Sequence, residues 1–171
     1  MKRILVIGCP GSGKSTFSKR LAEKMNYPIL HLDRIFHIDN HSQISRVELK
    51  NKITDFIEEN EVYIIDGNYS GTLEFRLSFS DTVFYFDIDP VVCLRNVIYR
   101  VEHKLVRDDI APGFDNTIMD PEFLEYVKTF NKNVKPKIDE ILSKSNAKLI
   151  KFFNYDEVEK FFINLNRNMS N

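Results

Sequence analysis

Residues Gly8-Cys9-Pro10-Gly11-Ser12-Gly13-Lys14-Ser15 spell GxxxxGK[ST], the spacing of a loop that wraps phosphate groups. Glycines at 8, 11 and 13 permit backbone conformations closed to residues with a Cβ, so the loop N–H groups can turn toward phosphate oxygens. A helix starting near Gly13 adds its positive dipole end. In that setting Lys14 reaches the β and γ phosphates and the Ser15 hydroxyl ligates Mg²⁺. Pro10, Ser12 and Thr16 lie in the same stretch and count as nucleotide-binding with it. A dinucleotide site would need a third glycine where Lys14, Ser15 and Thr16 follow, so NAD is not expected. The guanine-reading NKxD string is missing too: Asn51-Lys52-Ile53-Thr54 and Asn131-Lys132-Asn133-Val134 lack its aspartate. The spacing therefore predicts an ATP and Mg²⁺ site.

Carboxylates form the second set. Asp33 follows the apolar run Ile29-Leu30-His31-Leu32, and Asp66 follows Val62-Tyr63-Ile64-Ile65. Parallel strands deliver such residues to the ligand crevice at their carboxyl ends. Asp66, with Gly67 to turn the chain, is the candidate that orients Mg²⁺. Asp33 is the candidate proton acceptor or acceptor-binding group. Asp87 and Asp89 also end an apolar run, but Asp89 before Pro90 reads as a helix cap, and both are assigned structural roles.

Cations form the third. Arg100, Lys104 and Arg107 fall at i, i+4 and i+7 and would share one helix face before a Pro-Gly loop. Phosphoryl transfer depends on positioning and on cations that neutralise the moving group, so Arg100 and Arg107 are candidate catalytic residues. Arg76, in Gly71-Thr72-Leu73-Glu74-Phe75-Arg76, cannot pair with Glu74 at a spacing of two, which leaves it free for an anionic acceptor or for solvent. The four histidines show no metal spacing, and a zinc site is not expected.

Apolar runs alternate with helical spacing, the pattern of parallel strands joined by crossover helices. Strands are predicted over Arg3–Ile7, Pro28–Leu32, Val62–Ile65, Thr82–Phe86 and Lys148–Phe153, and helices over about 13–25, 45–59, 90–104, 121–143 and 156–166. Asp89-Pro90 and Asp120-Pro121 are start signals, and Pro136 should kink or divide its helix. His37–Ser42 and Asp108–Met119 fit neither template and read as mobile loops.

Composition bounds the function. The 171 residues carry 24 Lys and Arg against 25 Asp and Glu, a formal net charge of -1, which argues against direct coating of nucleic acid. Cys9 and Cys93 form no CxxC pair, and the N-terminal apolar run is too short for a signal peptide, so a cytoplasmic location is expected. No apolar run approaches the roughly 20 residues that span a bilayer. One domain over residues 1–171 is expected, with no membrane insertion.

These strings resemble the adenylate-kinase-related P-loop proteins known as DNA topology modulation proteins. The likeness runs end to end through Gly8 to Ser15, His31-Leu32-Asp33, Tyr63-Ile64-Ile65-Asp66-Gly67-Asn68-Tyr69, Thr72 to Leu77, and the Arg95 to Arg100 helix before a lid-like loop. It implies a three-layer αβα, nucleoside-monophosphate-kinase-like fold with five parallel strands in the order 2-3-1-4-5. A short lid at about 106–119 would carry Arg100 and Arg107 toward ATP, and Asn154 and Tyr155 would lie near the adenine. Family members often carry Trp near the acceptor side, where this chain has His37 and Tyr63. The reading that follows is a kinase acting on a small-molecule acceptor. The alternative is a nucleotide-dependent regulatory ATPase that influences DNA topology indirectly or through a partner.

Overall fold

Runs rich in Val, Ile, Phe and Tyr suit a pleated, two-sided buried surface. In the computed structural model, which describes residues 1–169, they form β1 (Arg3–Gly8), β2 (Ile29–His31), β3 (Tyr63–Asp66), β4 (Thr82–Phe86) and β5 (Lys148–Phe152). All pairings are parallel, in the order β2-β3-β1-β4-β5 that the resemblance implied. Burial along β1 and β4 is continuous rather than alternating, because helices cover both faces.

The helices are α1 (Lys14–Met25), α2 (Leu32–Phe36), α3 (Arg46–Glu59), α4 (Ser70–Leu77), α5 (Pro90–Glu102), α6 (Pro121–Lys128), α7 (Phe130–Asn133), α8 (Lys135–Ser143) and α9 (Tyr155–Met169). Their starts follow local chemistry. Asp89 accepts from Val91 N at 2.7 Å, Asp120 accepts from Glu122 N at 2.9 Å, and Ser45 with Glu48 makes a reciprocal capping box. Phe17 on α1 fixes that helix against the sheet and α9: its ring lies 4.8 Å from Phe84, 5.3 Å from Phe86, 5.5 Å from Phe152 and 5.2 Å from Phe162. Removing so enclosed a ring, as in Phe17→Ala, would cost about 3–5 kcal/mol.

Four departures from the sequence reading bear on the site. The short helix α2 was not predicted, because five residues are too few to show a 3.6-residue period; β2 stops at His31, and Asp33 lies in the first turn of α2. Helix α5 ends at Glu102 and Lys104 takes a left-handed φ of 47°, so Lys104 and Arg107 do not share a helical face with Arg100. The helix expected over 121–143 is divided twice. Pro136 sits in the first turn of α8, where its missing N–H costs nothing, while the break at Thr129 has no breaker in the sequence.

The fourth concerns the two loops, which hold each other. Asp39 bridges Gly113, Asn40 Nδ2 donates to Asp115 O at 2.8 Å, Asp115 N returns a 2.7 Å bond to Asn40 Oδ1, and the His37 ring lies 4.9 Å from that of Phe114. Ile110 and Ala111, in the second of these loops, are buried. Among the described residues no helix is long and apolar enough to cross a membrane.

Candidate nucleotide and phosphoryl-transfer site

The phosphate loop leaves β1 at Gly8 and enters α1 at Gly13. Gly11 has φ 83°, and a Cβ there would stand 2.3 Å from the Cys93 carbonyl oxygen, so the close approach of loop to α5 requires glycine. Gly13, at φ 91°, is the N-cap of α1 and makes no side-chain cap bond, which leaves the first N–H groups of the helix for an anion. Lys14 Nζ donates to Cys9 O at 2.9 Å, folded along its own loop. Asn96 on α5 ties the loop from outside: its Nδ2 donates to Gly11 O at 2.9 Å and to the Tyr155 hydroxyl at 2.8 Å. Tyr155 therefore lies against the loop, its Cε1 being 3.3 Å from where a Gly13 Cβ would sit. Asn154 is turned to α9, where its Oδ1 accepts from Glu157 N at 3.0 Å. Ser12 is buried in the loop, Pro10 is half-buried and Thr16 is exposed.

Asp66 closes β3 beside the loop strand, in register with Val6 and His31. It is buried, its Oδ2 lies 2.8 Å from His31 Nδ1, and its Oδ1 has no hydrogen-bond partner. Asp109, between α5 and α6, is clasped by Arg107, whose Nε donates to Oδ1 at 3.0 Å and Nη2 to Oδ2 at 2.6 Å, and its Oδ1 lies 4.0 Å from Lys19 Nζ on α1. Burial alone would raise the Asp109 pKa; the Arg107 bonds and charge, with Lys19, hold it well below the usual carboxylate range instead. The same Arg107 Nη2 lies 3.7 Å from Asp33 Oδ2. Arg100 stands near this group, its pKa held below the ordinary value by burial and then by the Arg107 charge.

Asp33 Oδ1 accepts from the Tyr69 hydroxyl at 2.9 Å. Burial, then the Asp33 charge, push the Tyr69 pKa up, so Tyr69 stays a donor. Tyr69 has φ 24°, a strained value for a residue with a Cβ, and Arg76 explains how it persists. The Arg76 guanidinium donates to Thr72 Oγ1 at 3.1 Å, Gly67 O at 3.0 Å, Asn68 O at 2.8 Å and Tyr69 O at 3.1 Å. Arg76 is 0% exposed, so the expected grip on an acceptor is replaced by a grip on the backbone that carries Tyr69. A lone arginine in a short helix carries no signal of which it will do.

The structure thus links Lys19 on α1, Asp109, Arg107, Asp33 and Tyr69 in one chain of contacts, with Asp66 and His31 alongside. One ligating atom from each of His31, Asp66 and Asp109 lies within 4.8 Å of the others. Sequence reasoning missed Asp109, His31, Tyr69 and Asn96 as site residues. Asp109 is one acid in a polar loop with no local pattern that marks it, whereas His31 and Tyr69 stand in strings that carry the resemblance, which do not say what either side chain touches.

No family model matches the chain. The adenylate kinase of Rickettsia africae is 25% identical over 182 residues, spanning 88% of this chain and 85% of that one. The adenylate kinase of Mesomycoplasma hyopneumoniae (strain 7448) is 37% identical over 149 residues, 71% of this chain and 66% of its own. Among solved structures, the deoxyadenosine kinase from M. mycoides with bound dATP aligns with a TM-score of 0.60 at 16% identity, covering 97% of this chain and 100% of that one. The chain has the P-loop kinase fold, and its relatives are kinases.

Proposed function

We propose that this chain transfers the γ-phosphoryl group of ATP to a small-molecule acceptor, a nucleotide or another metabolite, held over Asp33. The contact chain from Lys19, on the helix that follows the phosphate loop, through Asp109 and Arg107 to Asp33 carries the reading, because it ties that helix to a carboxylate whose side chain is 43% exposed. Asp33 suits an acceptor hydroxyl. As the acceptor oxygen bonds to the γ-phosphorus and the bond to the bridging oxygen of ADP breaks, the hydroxyl proton passes to Asp33. Lys14, Arg100 and Arg107 neutralise the moving charge, and the segment carrying Arg107 excludes water. Arg76 serves from beneath, by fixing the backbone of Tyr69.

Mg²⁺ fits the residues present: the Ser15 hydroxyl and Asp66 are hard oxygen donors, and the buried Asp66 Oδ1 lacks a partner that a cation would supply. When bound, the ion would shield the phosphate oxygens. A place among the DNA topology modulation proteins and a cytoplasmic location belong to the same reading, the former resting on His31-Leu32-Asp33 and on Asp66-Gly67-Asn68-Tyr69.

The test is ADP production from Mg-ATP across nucleoside monophosphates, nucleosides and hydroxylated metabolites, with Lys14→Ala as control. One acceptor should raise turnover well above the basal rate, and the control should abolish that rise. If none does, and ATP instead gates binding to a macromolecule, the chain is a regulatory ATPase.

A further inference from the structure

We propose that His31, Asp66 and Asp109 together form a binding site for a divalent first-row transition ion, such as Mn²⁺, that the chain takes up without nucleotide. The inference goes beyond phosphoryl transfer, since it concerns the nucleotide-free protein and a nitrogen donor that Mg²⁺ has little use for.

Three elements converge there: the end of β2 supplies His31, the end of β3 supplies Asp66, and the lid segment supplies Asp109. Their side chains are 9%, 4% and 5% exposed, so this is no solvated acidic patch. Two carboxylates brought this close and out of water repel each other and need positive charge between them. Arg107 meets the need at Asp109, but Asp66 Oδ1 remains buried without a hydrogen-bond partner, an acceptor pointing to a ligand. The clasp by Arg107 does not use Asp109 up, because each carboxylate oxygen offers two lone pairs and Arg107 takes one from each. Such an outer clasp orients a ligating carboxylate, and the 2.8 Å approach of His31 Nδ1 to Asp66 Oδ2 sets a nitrogen and an oxygen donor side by side. The donor set decides the ion. Mg²⁺ and Ca²⁺ take oxygen, whereas one imidazole with two carboxylates suits Mn²⁺, Fe²⁺ or Co²⁺. Since Asp109 belongs to the lid segment, the ion would fasten that segment to the strand ends.

The experiment uses the full chain, free of nucleotide, and Mn²⁺ alone as probe. Titration calorimetry should show one site per chain, with affinity at least about tenfold above that for Mg²⁺, and pulsed EPR of the bound Mn²⁺ should show coupling to a histidine nitrogen. Asp109→Asn and His31→Gln should each weaken Mn²⁺ binding at least about tenfold, and His31→Gln should remove the nitrogen coupling. The coupling in the unaltered protein needs no variant, so loss of folding in Asp109→Asn leaves the test standing. Absence of Mn²⁺ binding, equal affinity for Mg²⁺, or a bound ion with no nitrogen coupling would overturn the proposal. None of these results depends on whether an acceptor for phosphoryl transfer is found.

Discussion

The Tyr69 hydroxyl holds Asp33 Oδ1 at 2.9 Å, while the Tyr69 backbone sits at φ 24° under the carbonyl grip of Arg76. The strain is local and its support is buried, so orientation of the exposed carboxylate depends on an arginine that never reaches it. Removing the hydroxyl alone separates orientation from folding. Tyr69→Phe should lower kcat for the acceptor reaction roughly tenfold, leave KM for ATP unchanged, and cost no more than about 1.5 kcal/mol of stability. A kcat equal to that of the unaltered protein would show that Asp33 needs no such partner.

Arg76 tests the support. Its four bonds end on three carbonyls and the Thr72 hydroxyl, and Arg76→Met would leave Gly67 O and Asn68 O without this donor, while Tyr69 O keeps the Thr72 N–H and hydroxyl. A loss of about 3 kcal/mol or more is expected, seen as a thermal midpoint lower by about 6–12 °C for a chain of this size. Were Arg76 an acceptor-binding residue instead, Arg76→Met would hardly move the midpoint.

Lys14 should behave oppositely. Its Nζ makes a bond to Cys9 O within its own loop, so Lys14→Ala should shift the thermal midpoint by under about 2 °C. Acceptor-dependent ADP formation should fall by at least about a hundredfold, because the lost charge acts on the transferring group. Parallel melting curves and turnover assays check both halves.

His37 brings pH into the docking of the two loops. Burial, only partly opposed by the Asp33 charge, holds its pKa below the ordinary value, so the folded state favours the neutral ring between Phe36 and Phe114. The folded protein then binds fewer protons than the unfolded chain just below the ordinary histidine value. Stability from this group is present above about pH 6.5 and is lost as pH falls through that value and on through the lower folded one. Denaturant midpoints at pH 7.5 and pH 5.5 should differ less for His37→Phe than for the unaltered chain.

Much of the fold was legible because its signals are local. The phosphate loop, the caps at Asp89 and Asp120, and the apolar runs of the five strands are each written within a few residues, and Asp66 is placed by the strand it ends. Helix α2 was not legible, being shorter than the period that would reveal it, nor was the end of α5 at Glu102, since nothing in the spacing of Arg100, Lys104 and Arg107 announces the left-handed turn at Lys104.

Arg76 and Asp109 mark the boundary. Residue type and spacing show that the chain has a phosphate loop, acids at strand ends and arginines to spare, because each follows from backbone geometry over one or two turns. Which arginine is exposed, which is spent on carbonyls, and which acids converge beside the phosphate loop depend on contacts between residues far apart in the chain, such as Arg107 with Asp33 and Arg34 with Asp108. Only the packed tertiary structure decides these, since a buried charge goes to whichever partners satisfy it, and those partners come together only when the sheet and its loops have closed.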